Sequence, residues 1–163
     1  MSTDRPQDPS AQAPSAADRS IMADRAPQPV GRYPHARRVG HLLFLSGIGP
    51  RKPGSNEIPG LTLDELGNVA DHDIEAQCHS VFANVRAVLE AAGSSWDRIV
   101  DVTVFLTDMK RDFETYNRIY AEYFADNPPC RTTVEISSLP TPIAIELKCI
   151  ATIADSGENE TSA

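Results

Sequence analysis

The sequence has few cysteines, few cations and no long apolar run, and each scarcity excludes a class of protein. The three cysteines, Cys78, Cys130 and Cys149, are odd in number and form no CxxC pair. This predicts reduced thiols in a cytoplasmic protein rather than a secreted disulfide framework. Lys and Arg number 15 against 23 Asp and Glu, which gives a net charge of −8. Such a balance argues against binding nucleic acid or an anionic membrane. The longest apolar stretches, such as residues 42–45, are far below the about 20 residues that span a bilayer.

Residue patterns that usually signal a cofactor or an activated nucleophile are also missing. The sequence has four histidines, which are His35, His41, His72 and His79. They show neither the HxxxH nor the HExxH spacing that is typical of metal ligands. The glycines form no GxGxxG or P-loop motif, and no GxSxG motif is present. We therefore expect no metal, no nucleotide and no organic cofactor.

The chain length of 163 residues fits one ordinary domain. Residues 1–30 hold five of the 13 prolines and show no apolar period, which predicts a disordered tail. Met22 lies inside this tail and is an alternative translation start. Residues 155–163 are polar and form a second predicted tail. The predicted folded unit is residues 31–154.

Within that unit the apolar periods predict two helices and five strands. Apolar residues recur at helical spacing after Asp73 up to Gly93, with Asp71 or Asp73 as the cap, and again from Phe113 to Phe124. Residues 50–70 are rich in Gly and Pro and are predicted to be a long loop. The order β-β-α-β-α-β-β predicts an α+β fold, in which a mixed β-sheet carries both helices on one face. The five predicted strands are residues 33–39, 41–48, 99–106, 132–139 and 143–153.

The last predicted strand has one wholly apolar face and one face that carries charge. Side chains alternate along a strand, so Glu146 and Lys148 share a face, about 7 Å apart. One interpretation is a half-solvated sheet with an unimportant ion pair. The other is that a second subunit covers this face, so that an acid and a base lie in an interface cleft.

Arginines supply the remaining candidates for binding. Arg131 opens a strand after Pro128-Pro129, and its planar guanidinium either suits bidentate capture of a carboxylate or is an ordinary edge arginine. A basic cluster in this acidic chain either attracts a small anion or is a solvated hairpin edge. That cluster comprises Arg32, His35, Arg37, Arg38, Arg51 and Lys52.

A series of short motifs resembles the Rid (YjgF) family of imine and enamine deaminases, in order and over essentially the whole folded unit. The motifs are Tyr33 with Gly40-x5-Ser46-Gly47, Asn84-Val85, Leu89-x-Ala-Ala-Gly93, Asp101-x-Thr103-Val-Phe-Leu106, Asn117-x-x-Tyr120, Arg131-Thr-Thr-Val134-Glu135, Leu139-Pro140 and Glu146-x-x-x-Ile150-Ala151. The resemblance implies a chorismate-mutase-like fold and a homotrimer with clefts at the subunit interfaces.

The resemblance also implies roles for single residues. Arg131 matches the carboxylate-binding arginine of the family, Glu146 its water-handling glutamate and Tyr33 its active-site tyrosine. These three are the predicted catalytic residues. The predicted substrate-binding residues are Lys148, Arg38, Arg51, Ser46, Thr133 and Asn117.

Two departures from the common family pattern resemble the 2-aminomuconate deaminase branch. Lys148 stands where common members have a second acid, and the segments 31–38 and 48–52 have the character of that branch. The implied reaction converts 2-aminomuconate to 2-oxohex-3-enedioate (4-oxalocrotonate) and ammonia in the catabolism of aromatic compounds. Its second carboxylate needs a second cation, for which Lys148, Arg38 and Arg51 are candidates. The alternatives are a broader 2-aminoacrylate-type deaminase and a non-catalytic trimer that binds small anions or acts like a chaperone.

Overall fold

The structure, a computed structural model, describes residues 19–55 and 57–154. Its eight strands and two α-helices are β1 (Arg19–Ile21), β2 (Ala36–Val39), β3 (Leu42–Leu45), β4 (Leu61–Leu63), β5 (Val69–His72), α1 (Ile74–Ala91), β6 (Ile99–Leu106), α2 (Met109–Tyr123), β7 (Cys130–Glu135) and β8 (Ile145–Thr152). A short 3₁₀ turn, Trp96–Arg98, precedes β6.

Six strands form one mixed sheet in the order β1-β2-β3-β8-β6-β7. All neighbours are antiparallel except β6 and β7, which are parallel because α2 carries the chain back between them. Both helices pack on one face of this sheet, α1 against β8 and α2 against β6. The predicted α+β fold, with two helices on one face of a mixed sheet, is confirmed.

Helix α1 begins and ends where the sequence predicts. The side chain of Asp73 accepts a hydrogen bond from the backbone N–H of Ala76, so Asp73 and not Asp71 is the cap. The helix ends before Gly93, whose φ of +76° is a conformation that glycine adopts without strain. The Ser94 N–H then donates to the Leu89 carbonyl and satisfies one of the terminal acceptors.

The central strand β8 has the two unlike faces that its alternation predicts. Ile145, Leu147, Cys149 and Ala151 are buried under the helices. Glu146 and Lys148 lie on the opposite face, which no element of the described chain covers. We call this second face the open face of the sheet.

The predicted loop over residues 50–70 contains structure that the prediction missed. Its second half belongs to a separate two-stranded hairpin, in which β4 pairs with β5. The turn is held by Asp64, whose carboxylate accepts the N–H groups of Leu66 and Asn68, and by Gly67 at φ +81°. The glycines and prolines of this stretch predict the turn correctly. They also led to the prediction of a loop where the short strands β4 and β5 flank the turn.

The predicted disordered tail over residues 1–30 is wrong for residues 19–30. Strand β1 pairs with β2, and Ile21, Ala23 and Ala26 are buried in the core. Small alanines and an isolated isoleucine give no apolar period, so packing of this kind leaves no pattern in the sequence. Residues 1–18 and the predicted tail 155–163 lie outside the described residues.

Neither helix of the described chain is long and apolar enough to cross a membrane. All three cysteines are free thiols, of which Cys78 and Cys149 are buried and Cys130 is exposed.

Candidate functional site

A cleft of about 360 Å³ opens beside β8 on the open face of the sheet. That volume is at the lower end of the range for sites that bind small molecules. The residues that line it are Val30, Tyr33, Ser46, Gly47, Gly49, Arg51, Pro140, Thr141, Ile143, Glu146 and Lys148. The cleft therefore gathers polar groups from the stretch before β2, from β8 itself and from the loops that follow β3 and precede β8.

The cleft exists because the chain after β3 leaves its regular pairing with β8. Phe44 pairs with Ile150, and Ile48 pairs with Leu147. Three residues lie between Phe44 and Ile48 on the β3 side, but only two lie between Leu147 and Ile150 on β8. The extra residue falls at Ser46-Gly47 and acts as a bulge, a feature that often re-aims chains next to active sites.

Glu146 is the acidic group of the cleft. Its carboxylate lies against Gly47, since a Cβ placed on Gly47 would meet the Glu146 carboxyl carbon at 2.7 Å. Burial raises the pKa of the Glu146 carboxyl above its usual value. Within the described chain no residue donates a hydrogen bond or forms an ion pair with this carboxylate. A partly buried carboxyl with a raised pKa is suited to accept and return a proton.

Two of the three predicted distal cations lie at the cleft. Lys148 lines it from β8 with an exposed side chain, and Arg51 lines it while donating from Nη2 to the Gln28 carbonyl at 2.6 Å. Arg38 does not line it. Arg38 pairs with buried Leu43, which places its side chain on the helix face of the sheet. The prediction that Arg38 binds substrate therefore has no support in the geometry of one chain.

Tyr33 and Ser46 both line the cleft. The Tyr33 side chain is 41% exposed. The Ser46 hydroxyl donates to the Pro34 carbonyl at 2.7 Å, and its N–H donates to the His35 carbonyl at 2.9 Å. Ser46 therefore ties the bulge to the segment that carries Tyr33.

Arg131 lies on the other side of the sheet from Glu146. It pairs with Val102, and Val102 also pairs with Cys149, so all three share the helix face. The Arg131 guanidinium is 4.5 Å from the ring centre of Tyr120 and donates to the Asn117 side chain at 2.9 Å. These contacts fix the orientation of an exposed guanidinium at the edge of the sheet.

Asn117 and Thr133 belong to the surroundings of Arg131 and not to the cleft. Asn117 accepts from Arg131 through its side-chain oxygen. The Thr133 hydroxyl is buried beside Tyr116, and burial raises the pKa of the Tyr116 phenol. Within one chain the predicted site residues other than Arg38 thus form two groups on opposite faces, a Glu146 group and an Arg131 group.

Several residues that shape the cleft were not predicted from the sequence. Gly47 makes room for the Glu146 carboxylate, Val30 forms a wall, and the loop of residues 140–143 closes one side. Ser46-Gly47 is one of the motifs that resemble the Rid family, but the motif alone does not show that Gly47 makes room for a carboxylate. The described residues contain no group of three or more His, Cys, Asp or Glu side chains that could hold a metal ion.

Comparisons with known proteins identify the family. The model of the endoribonuclease L-PSP family matches residues 23–153. The chain belongs to the Rid/YjgF family. A RutC family protein of Saccharolobus solfataricus is 40% identical over 131 residues, which are 80% of this chain and 94% of that protein. The chloroplastic Reactive Intermediate Deaminase A of Arabidopsis thaliana is 33% identical over 144 residues, which are 88% of this chain and 71% of that protein.

Solved structures show the same fold. The crystal structure of E. coli TdcF with bound serine matches with a TM-score of 0.71 and 32% identity, covering 83% of this chain and 99% of TdcF. The E. coli YjgF gene product matches with a TM-score of 0.70 and 32% identity, covering 82% of this chain and 98% of that one. The predicted membership of the Rid family is confirmed, and the 2-aminomuconate branch stays a prediction.

Gly47→Ala should displace the Glu146 carboxylate while the fold persists. The added Cβ would lie 2.2 Å from Glu146 Oε1, and that atom ends a flexible side chain, so it moves in preference to the backbone. We expect kcat/KM of a reaction that uses Glu146 to fall on the order of 10²-fold, because misplacement by about 1 Å costs that much. Steady-state kinetics and the melting temperature, measured together, check this.

The matched control is Gly49→Ala, which adds the same methyl group to the same cleft but meets the end of the Ile143 side chain. Its loss of activity should be several-fold smaller. Equal losses in both variants would show that crowding of the cleft matters and the position of Glu146 does not.

Proposed function

We propose that this protein is a hydrolytic deaminase of enamine and imine acids that works without a cofactor. The observation that carries the proposal is the Glu146 carboxyl, which faces a small-molecule cleft without a partner among residues 19–55 and 57–154 and has a raised pKa. The relative named Reactive Intermediate Deaminase A supports the same class of reaction. Hydrolysis of an imine needs one oriented water and one group that moves protons, and Glu146 is suited to both tasks.

In the proposed reaction the enamine first tautomerises to an imine. The water oxygen bonds to the imine carbon as Glu146 takes one water proton and passes it to the imine nitrogen, which gives a neutral carbinolamine. The remaining hydroxyl proton then moves through Glu146 to the nitrogen as the C–N bond breaks, so the carbonyl forms, ammonia leaves and the Glu146 carboxylate is restored. Tyr33 and Ser46 flank this point and are positioned to hydrogen-bond water or substrate. Positioning and proton transfer supply the rate enhancement.

We further propose that each site is completed by a second subunit in a homotrimer. Arg131 and Glu146 lie on opposite faces of the sheet in one chain, so one small substrate can contact both only if they come from different chains. The open face also presents Phe44 and Val39, which are 38% and 45% exposed. Burying such residues favours association of subunits through this face. Arg131 of the neighbouring subunit would then bind the substrate carboxylate.

The proposed substrate is 2-aminomuconate, which carries a second carboxylate at the far end of a six-carbon chain. Lys148 and Arg51 supply positive charge at the cleft, and Lys148 has no acceptor for its ammonium group among the described residues. An unpaired lysine beside an anion site favours a dianionic substrate over a monoanionic one.

The test of this function is ammonia release from 2-aminomuconate and from 2-aminoacrylate, each generated enzymatically. We expect turnover of both and a higher kcat/KM for 2-aminomuconate, with Glu146→Gln inactive on either. Because the reaction needs the ionised carboxyl, activity is lost as pH falls through the Glu146 pKa. Since that pKa is raised, the acid limb of the kcat/KM profile should lie above the usual value of about 4.3 for a glutamate.

Preferred turnover of 2-aminoacrylate would assign the chain to the broader type of deaminase. A folded protein that releases ammonia from neither compound would favour a non-catalytic anion-binding trimer and would refute the enzymatic proposal.

Sharing of sites between subunits predicts complementation. Arg131→Ala and Glu146→Gln chains are each expected to be inactive alone. When equal amounts are unfolded and reassembled together, about one quarter of the sites pair a wild-type Arg131 with a wild-type Glu146. Activity should therefore return to about a quarter of the wild-type value.

Reassembly of each variant by itself is the control, and light scattering confirms the trimer in all samples. A mixture that stays inactive although trimers form would show that Arg131 and Glu146 of different chains do not share a site.

Lys148→Met should separate substrates by their charge. If Lys148 binds the distal carboxylate, kcat/KM for 2-aminomuconate should fall by about 30- to 150-fold through KM, which corresponds to about 2–3 kcal/mol. Turnover of 2-aminoacrylate should change little. The matched control is Lys52→Met, since Lys52 pairs with Glu57 and does not line the cleft.

Equal losses on both substrates would make Lys148 a general support of the site. Arg51→Met, measured the same way, would then test the other cation.

A further inference from the structure

We propose that His35 is a positioning residue that holds residues 23–30 as a wall of the cleft. We call residues 23–30 the N-terminal segment. Catalysis on any substrate would require this wall to stay in place. The inference depends on the proposed function only in the experiment that measures enzyme activity, and not in those that measure proteolysis or ligand binding.

His35 is one of the few buried polar residues, with 2% of its surface exposed. Its Nδ1 accepts from the Ala23 N–H at 3.0 Å, and its Nε2 donates to the Pro27 carbonyl at 3.0 Å. This pair of bonds requires the neutral imidazole with its proton on Nε2. Both ring nitrogens are therefore used, and both bind the same stretch of backbone.

The two bonds fix the start and the middle of the N-terminal segment. Between them the Ala26 N–H donates to the Ala23 carbonyl at 3.2 Å and closes a turn. Ala23 and Ala26 are each 1% exposed, so the turn packs against the core. Alanine side chains bury little apolar area, and the imidazole supplies the directional contacts that choose one position for the turn.

The rest of the N-terminal segment faces the cleft. Pro27 and Pro29 line a small extension of about 30 Å³ that also touches Tyr33, Ser46 and Gly47. Val30 lines the main cleft, and the Gln28 carbonyl accepts from Arg51. If the imidazole bonds were lost, the wall formed by Val30 and the anchor of Arg51 would both lose their support.

The backbone of His35 contacts the opposite side of the cleft. Its carbonyl accepts from the Ser46 N–H at 2.9 Å, and the neighbouring Pro34 carbonyl accepts from the Ser46 hydroxyl. His35 thus lies between the bulge that carries Ser46-Gly47 and the segment that carries Val30. A single residue sets the distance between the two sides.

The test compares His35→Leu with His35→Gln in the full-length chain. Leucine is apolar and removes both bonds. Glutamine has a carbonyl oxygen to accept from Ala23 and an amide to donate to Pro27. We expect His35→Leu to lower kcat/KM by on the order of 10- to 100-fold, mainly through KM, and His35→Gln to stay within about threefold of wild type.

A second readout does not depend on activity. Arg25 lies in the N-terminal segment, and trypsin cleaves after arginine only where the chain can leave the surface. Cleavage after Arg25, followed by mass spectrometry, should be at least tenfold faster in His35→Leu than in wild type or His35→Gln. Calorimetry with muconate, a stable dicarboxylate, should show weaker binding by His35→Leu alone. The matched control is His41→Leu, which removes an exposed imidazole at the β2–β3 turn and should change none of these.

Each outcome decides the proposal. Unchanged cleavage in His35→Leu would show that His35 does not hold the segment, and fast cleavage with normal kinetics and normal muconate binding would show that the segment does not serve the cleft. If His35→Leu does not fold, His35→Asn, which is polar but too short to span both bonds, replaces it. Failure of both to fold would assign His35 to the core and overturn the proposal. Absence of deaminase activity in wild type would refute the proposed function and leave the cleavage and muconate results to judge His35.

Discussion

The position of β8 in the middle of the sheet is the constraint on which the site depends. Its odd-numbered side chains must be buried on the helix face of the sheet, so Glu146 and Lys148 have to face the other way. A shift of the strand by one residue would bury both charges and expose the core. The burial that stabilises the domain therefore also keeps the Glu146 side chain on the open face of the sheet. The bulge at Ser46-Gly47 makes room for its carboxylate.

The same periodic rules explain which parts of the structure could be predicted. Helix α1 and the two faces of β8 follow from spacing alone, because burial repeats with the period of the element. The sequence leaves Asp71 and Asp73 as alternative caps, and only the hydrogen bond from the Ala76 N–H identifies Asp73. The N-terminal segment could not be found this way, since a buried histidine and two small alanines hold it and neither has a period. The hairpin of β4 and β5 escaped because its strands are three and four residues long.

Membership of a site is harder to predict than the fold, and Arg131 shows why. The sequence predicts that Arg131 stands at the start of a strand. The face of the sheet on which its side chain lies depends, however, on the register of β7 against β6. That register is set by the parallel connection through α2, which no local pattern reveals. Only the pairing with Val102 shows that Arg131 and Glu146 cannot meet within one chain. The rings of Tyr116 and Tyr120, together with Asn117, nevertheless orient the guanidinium within one chain.

The unpaired carboxyl of Glu146 links the chemistry to stability. Its pKa is raised in the folded chain, so the protonated form is the one that the fold favours, and that contribution is lost as pH rises from the unfolded value through the folded one. The ionised form of Glu146 is therefore the one that burial disfavours, and no described residue offsets that cost. A cation or a polarised water brought by substrate and a neighbouring subunit would relieve this cost. In the proposed shared site this relief would come only in the assembled, occupied cleft, so that Glu146 would keep its high proton affinity until a substrate is in place.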